Sequence, residues 1–418
     1  MRKRLLGLFL CVLALCPLHS RAEIGVLDNV PAATLLLPYF EVDLNNPNGV
    51  TTIFSVTGAD ATAYLAHVTL WSDMGIPTLS FNIYLTGFDT QTVNLRDVFN
   101  GILPVSASDG QDPTDTTSPQ GPISQDINFA SCSGQLPYPI PALTPTQLSD
   151  LRNSHTGLAS IQTGGRCVGR NLGDNIARGY VTIDTVNNCT QRFPCDPASL
   201  VRCGAGDATN QNSLWGDYFL IDLNQNFAQG EALVALEASF NVFVPGEYTF
   251  YSRLVAGTAA DGREPLATNW AAPYAQGGAS GTNTDLLVWR DSTVPPFGSA
   301  GSFSCGLPGP SQFFPLSQTD IVAFDNEENP TDIASNSTPF PGVAGRVEVG
   351  GPDLSEVFSR SGWMYLNLNT VVSGGQVPQP ASQSYVTVIR SSEGRFSGGH
   401  SGIPLDDANN PNLSPILP

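Results

Sequence analysis

Over residues 50–99 the chain alternates apolar and polar positions in short runs, most of them closed by glycine, aspartate or proline. The runs VTTIFSVTG, TAYLAHVTLWS, TLSFNIYLTG and TVNLRDVF are rich in β-branched and aromatic residues. Such residues fit a pleated, half-buried surface, so the runs predict consecutive β-strands. Side chains alternate faces along a strand. Leu79, Phe81, Ile83 and Leu85 therefore share one face, opposite Ser80, Asn82 and Tyr84. In the preceding run Tyr64, Ala66, Val68 and Leu70 oppose Leu65, His67, Thr69 and Trp71. One apolar face and one mixed face predict an antiparallel sheet covered on a single side, with a second sheet closing over it.

The pattern recurs along the chain. Residues 33–42 (ATLLLPYFEV) are apolar but contain Pro38, which predicts an edge strand or a bent one. Further strands are predicted over 177–186, 214–223, 232–240, 247–253, 284–289, 319–324, 345–349, 363–368 and 384–390. Thr144 is suited to cap a helix and Pro145 to open it, with Leu148 and Leu151 on one face, so a short helix is expected in TPTQLSDLRNSHTGL. Residues 101–131 and 255–283 read as loop. The expected organisation is a signal peptide at 1–22, N-terminal β-sandwich strands at 23–100, and a loop-rich insertion with a short helix and a cysteine cluster at 101–210. The remaining strands follow at 211–390, and an irregular tail at 391–418. The fold class is all-β: an antiparallel β-sandwich, immunoglobulin-like or jelly-roll-like, in one or two sandwiches with long disulfide-stapled loops.

Composition sharpens this reading. Arg2, Lys3 and Arg4, an apolar run and the small residues Ser20 and Ala22 form an export signal with cleavage expected after Ala22. Four of the 18 basic residues and none of the 37 acidic ones lie in that segment, so the remainder carries a net charge of −23. All its cations are arginine. An anion of this size repels nucleic acid and anionic lipid, and the charge keeps an exported chain soluble. No later stretch has the length and apolarity of a transmembrane segment. Charged residues are only 13% of the chain against 41 Gly and 33 Pro, which suits many short strands joined by turns.

Six cysteines follow the signal: Cys132, Cys167, Cys189, Cys195, Cys203 and Cys305. An even count in an exported chain predicts three disulfides. Cys132–Cys167 is the expected first pair, with one local loop closed within the 189–203 cluster and the last partner left to Cys305. The spacing lacks the C-x2-C knuckle of structural zinc sites, and no histidine lies near it.

The candidate chemistry is sparse. Gly399-His400-Ser401-Gly402 has the outline of a serine-protease nucleophile loop, and Ala66-His67 that of its histidine. But His400 occupies the usual aspartate position and His67 lies mid-strand among apolar neighbours, so the plainer reading is a chance match and no catalytic residue is assigned. Asp109, Asp112 and Asp115 recur every third residue in a long loop, an oxygen-rich set suited to calcium, although the spacing is not that of an EF-hand. The plainer alternative is a solvated polar loop. Trp270, in a loop-like stretch with Tyr274 close behind, is the candidate surface for stacking on a sugar; tryptophans in β-proteins are more often core, as expected for Trp71 and Trp289. Neither a GxGxxG turn before a helix nor a P-loop occurs.

The runs PAATLLLPYFEVDL, TTIFSVTGADATAYLAHVTLW, SFNIYLTGFDTQTVNLRDVF, ARGYVTIDTV and LWGDYFLIDL resemble a family of exported bacterial β-rich proteins of unknown function. The resemblance covers much of 31–240 and implies an exported β-rich protein; it brings no catalytic residue or cofactor. The expected function is non-enzymatic: a structural, adhesive or ligand-binding protein in the periplasm, at the cell surface or outside the cell, with a glycan or protein partner. The alternative is a secreted hydrolase with a loop-built site.

Overall fold

The computed structural model describes residues 30–106, 125–127, 129–196, 198–200, 205–238, 248–254, 261–278, 281–292, 320–333, 339–369, 382–392 and 394–405. The protein is mostly β, and its sheets are antiparallel throughout. The first half contains β1 (Thr34–Asp43), β2 (Thr51–Gly58), β3 (Tyr64–Ser72), β4 (Pro77–Leu85) and β5 (Thr90–Asn94). It continues with β6 (Ala159–Ser160), β7 (Arg166–Cys167), β8 (Ile176–Val186), β9 (Leu214–Trp215), β10 (Asp217–Asp222), β11 (Phe227–Ala232) and β12 (Val234–Leu236). The second half contains β13 (Asn269–Ala275), β14 (Thr282–Ser292), β15 (Asp320–Asp325), β16 (Pro330–Asp332) and β17 (Ala344–Glu348). It ends with β18 (Ser361–Asn367), β19 (Ser382–Ser392), β20 (Phe396–Ser401) and β21 (Ile403–Pro404). Two helices, α1 (Leu95–Val98) and α2 (Pro145–His155), lie in the first half.

Each half supplies two large sheets, and the first half adds the two-stranded β6-β7. The first half forms β12-β1-β8-β3-β4 and β11-β10-β2-β5; the second forms β16-β15-β18-β13-β21 and β17-β14-β19-β20. The expected alternation in the first sheet holds. Val68 stands opposite Phe81 and Ile183, and Ala66 opposite Ile83, so one face is continuously apolar. Phe81, Ile83 and Leu85 are buried, and the half-buried Leu79 packs on the same core. Phe54, Val56, Tyr218 and Leu220 of the second sheet join that core.

The expectation of a sheet covered on one side only is corrected. The mixed face, with His67, Thr69, Trp71, Asn82, Thr182 and Asp184, is buried too. The second half covers part of it. Trp71 stacks on Tyr180, whose ring meets Trp289 of β14 edge-on, and Phe250 stacks on Trp289 in turn. Polar groups on this face are matched rather than left bare. Arg263 pairs with Asp184 at 3.4 Å, and Tyr251 donates to the other Asp184 oxygen at 2.8 Å. Thr34 donates to Asp184 and receives a hydrogen bond from Arg263. Arg253 pairs with Asp291 at 2.7 Å. Arg346 bridges Glu41 at 3.1 Å and Asp285 at 2.7 Å, while Arg178 approaches Glu41 from the same sheet. Burial opposes ionisation of Glu41, but the Arg346 and Arg178 guanidinium groups beside it hold its carboxyl below the usual range.

Other differences from the sequence reading have local causes. β1 is a central strand, and its register shifts between Leu37 and Phe40, so Pro38 is accommodated by a bend, not by an edge position. β8, within the stretch read as an insertion, is the middle strand of the first sheet. Residues 248–253, within the 247–253 stretch read as strand, turn back on Asp261, which accepts the Tyr251 amide and the Thr249 hydroxyl. β13 emerges from a stretch read as loop because Pro273 and alanines disguise its alternation. Residues 396–404, read as irregular tail, pair as β20 and β21. The helix is where expected: Thr144 and Gln147 form a reciprocal capping box, and Leu151 is buried.

Removing one member of a buried ion pair strands the other in a low-dielectric site. Asp184→Asn is expected to lower stability by about 3–5 kcal/mol in urea unfolding, because Arg263 is then left without a carboxylate. A loss comparable to that of an exposed carboxylate, under about 1 kcal/mol, would show that the pair does not anchor the 261–263 segment on the first sheet.

Candidate functional site

An open groove of about 960 Å³ lies near the edge strand β4. It is built by the loop after β8. Asn82 on β4 donates through Nδ2 to the Thr190 carbonyl at 2.8 Å and accepts the Thr190 amide at 3.3 Å. The Ser80 hydroxyl donates to the Gln191 carbonyl at 3.1 Å. These bonds lay residues 190–192 over the mixed face of the sheet at β4 and β3, while the Asn82 amide donates to the Tyr138 hydroxyl. A disulfide joins Cys132 to Cys189, and Ser131 accepts the Cys189 amide at 3.0 Å, which ties the far wall. Gln135, Asn188, Gln191, Arg192, Phe193 and Asp207 present their side chains around the resulting groove. Arg192 is held in place by Asp207 at 2.8 Å.

The expected cysteine pairing is corrected here. Cys132 bonds to Cys189, not to Cys167, because the sheet brings the end of β8 beside the turn at 130–132. Cys167 is disulfide-bonded, but to a residue outside the described set. Cys195 carries a free thiol at the groove, which departs from the expected three pairs. Burial pushes that thiol up, so it is not held as a nucleophilic thiolate. Cys203 and Cys305 lie outside the described residues.

The other sequence candidates separate. His67 lies behind the groove wall, 1% exposed, with Nδ1 2.9 Å from Asn82 Oδ1 and Nε2 2.9 Å from the Arg192 carbonyl. Both ring nitrogens are engaged, so the ring is a structural strut. His400 and Ser401 lie on β20, in a different sheet from His67. Trp270 and Tyr274, expected at the surface, are core residues on β13, at 0% and 2% exposure. Trp270 donates to the Ser384 hydroxyl at 2.9 Å, and Tyr274 reaches the Phe324 carbonyl. With their faces covered, neither offers a platform for a sugar. Trp215, 43% exposed, is the tryptophan that does face solvent. Asp109, Asp112 and Asp115 lie outside the described residues; among the described ones no group of three His, Cys, Asp or Glu side chains is arranged for a metal. The Asp43–Asn48 turn, another oxygen-rich loop, has its carbonyls filled by Arg96, which donates to Asp43, Asn46, Gly49 and Val50. No helix among the described residues is long and apolar enough to cross a membrane.

Sequence reasoning missed Arg192, Asp207 and Phe193. The available signal was an arginine, an aromatic and amide side chains clustered between closely spaced cysteines.

Comparison with known proteins returned no matching family model, no matching curated protein and no matching solved structure.

The Cys132–Cys189 bond spans 57 residues of sequence, so closing it removes substantial freedom from the unfolded chain. Replacing both cysteines by serine is expected to cost about 2–4 kcal/mol and to raise amide exchange in 187–196 most strongly. Uniform exchange across the first half would show that the bond does not shape the groove.

Proposed function

We propose that this is an exported, non-enzymatic protein that binds a polar chain molecule, a glycan, in the groove beside β4. The observation that carries the reading is the lining: amide side chains, one fixed arginine–aspartate pair and Phe193, on a wall braced by a disulfide. Amides and paired charges hydrogen-bond to vicinal hydroxyls, and an aromatic ring packs on the apolar face of a sugar. The groove offers no activated nucleophile beside a free base. Its thiol is kept protonated by burial, and the nearest histidine has both nitrogens occupied.

The two pairs of sheets are read as two face-to-face sandwiches, β1–β12 and β13–β21. The support is the alternation of buried side chains on facing strands and their shared apolar core. Export rests on the N-terminal signal pattern, and calcium at Asp109, Asp112 and Asp115 remains a proposal from spacing alone.

The test is calorimetric titration with a panel of soluble oligosaccharides. Binding by the native protein is expected, with affinity reduced at least tenfold in Arg192→Ala, in line with loss of one charged hydrogen-bonding group. Binding of peptides in place of sugars would replace the glycan with a protein partner. Turnover of ester, glycoside or peptide substrates that Cys195→Ser abolishes would overturn the reading in favour of a hydrolase.

A further inference from the structure

The second strongly built polar cluster lies far from the groove in sequence, where the two halves adjoin along β11 and β20. Ser397 of β20 both receives the Ala228 amide, at 2.9 Å, and donates to the Ala228 carbonyl, at 2.6 Å. Asn226 donates to the Gly394 carbonyl at 2.9 Å. Gly399 lets β20 approach closely: a Cβ there would fall 2.4 Å from the Gln229 side chain. Gln229 and Glu231 project from β11 into this seam, and Tyr218 of β10 stands directly opposite Glu231.

The groups around the Glu231 carboxyl are all neutral. Tyr218 faces it from β10 and Tyr385 from β19, each with its own phenol pushed up by burial. The Thr387 hydroxyl lies 3.5 Å from Glu231 Oε2, and the Ser401 amide on β20 points to it. His400, the titratable group of β20, has Nδ1 against the Ser401 carbonyl at 2.8 Å. Arg346 sits over the Phe227 ring at the start of β11, but its guanidinium is committed to Glu41 and Asp285. Among the described residues Glu231 forms no ion pair. Gln229, 2% exposed, and Thr387 lie close enough to the Tyr218 hydroxyl to interact with it, a contact that uses neutral groups alone. A carboxylate in this half-buried setting has lost part of its water and gained no cation in exchange.

We propose that Glu231 is a proton-operated latch between the two halves: the carboxylic acid lets β11 lie against β19 and β20, and the carboxylate loosens that seam. Burial pushes the Glu231 carboxyl up to about 7, against an ordinary value of 4.5. The closed form therefore holds the proton more tightly than an opened form with a solvated carboxyl. By linkage, the contribution of the latch is full below about pH 4.5 and is lost as pH rises through about 7. An exported protein meets such a change whenever it passes from an acidic to a neutral surrounding. The latch does not depend on the groove or on any ligand.

The experiment is hydrogen exchange of the full chain between pH 5 and pH 8, with protection corrected for the intrinsic rate. Protection of the β11 and β20 amides is expected to fall by at least about tenfold over that interval, as the linkage relation requires for this displacement. In Glu231→Gln the fall disappears and protection stays at its low-pH level. Thr387→Val, which removes a hydroxyl that favours the carboxylate, moves the transition to higher pH. A carbon-13 titration of the Glu231 carboxyl in the unaltered protein gives an answer even where a variant does not fold. A midpoint at the ordinary glutamate value, or pH-independent protection in the unaltered protein, overturns the proposal. Neither result bears on sugar binding at the groove, so the two readings fail separately.

Discussion

The burial of charge on the mixed face of the first sheet constrains everything else in this molecule. An antiparallel sheet with polar side chains on one face normally leaves that face to water. Here Asp184 and Glu41 are placed under a second body of protein. Each carboxylate left dry requires a cation brought from elsewhere in the chain. Arg263 and Arg346 come from segments more than 75 residues from the nearest part of β8, and they fit only when the second half lies in one position and one register. Apolar packing alone, as at Trp71, Tyr180 and Trp289, tolerates sliding; a hydrogen-bonded guanidinium does not. The pairs thus act chiefly on specificity of arrangement.

That requirement accounts for a feature of composition that solubility leaves unexplained. After the first 22 residues every cation is arginine. Buried pairing favours the planar guanidinium, which bonds to two partners at once and is less strongly hydrated than an ammonium group. Arg346 spans two carboxylates, Arg253 meets Asp291 while reaching Gly75 and the Tyr180 hydroxyl, and Arg96 serves four carbonyls of a turn. A lysine in any of these places would satisfy fewer acceptors. The acidic surplus remains at the surface because so many of the cations are used inside.

What the sequence disclosed and what it hid follow from the range of each interaction. Alternation is local, so Leu79, Phe81, Ile83 and Leu85 announced their face, and Thr144 with Pro145 announced a helix start. The covering of His67 and Asn82 is non-local: nothing within ten residues of either indicates that a loop 108 residues away will seal it. Trp270 was misread for a related reason. Its neighbours are alanine, asparagine and proline, and only pairing with β18 reveals that it faces the core. The Cys132–Cys189 bond likewise depends on which strand neighbours which, a property of topology and not of spacing. The groove was legible only as a cluster of polar residues among cysteines, because its walls come from segments around 131–135, 188–196 and 207 that only the fold brings together.

The engagement of arginine side chains in ion pairs and carbonyl contacts has a consequence for proteolysis. A trypsin-like endopeptidase cuts after arginine or lysine, and among the described residues only Arg166, Arg192, Arg360 and Arg395 stand fully open to one. Arg253 and Arg346, which reach across from one half to the other, become more accessible as the halves part. Digestion by such an enzyme would then trace the association of the halves more than the mobility of the surface, and an intact assembly would persist where a loosened one is cleared.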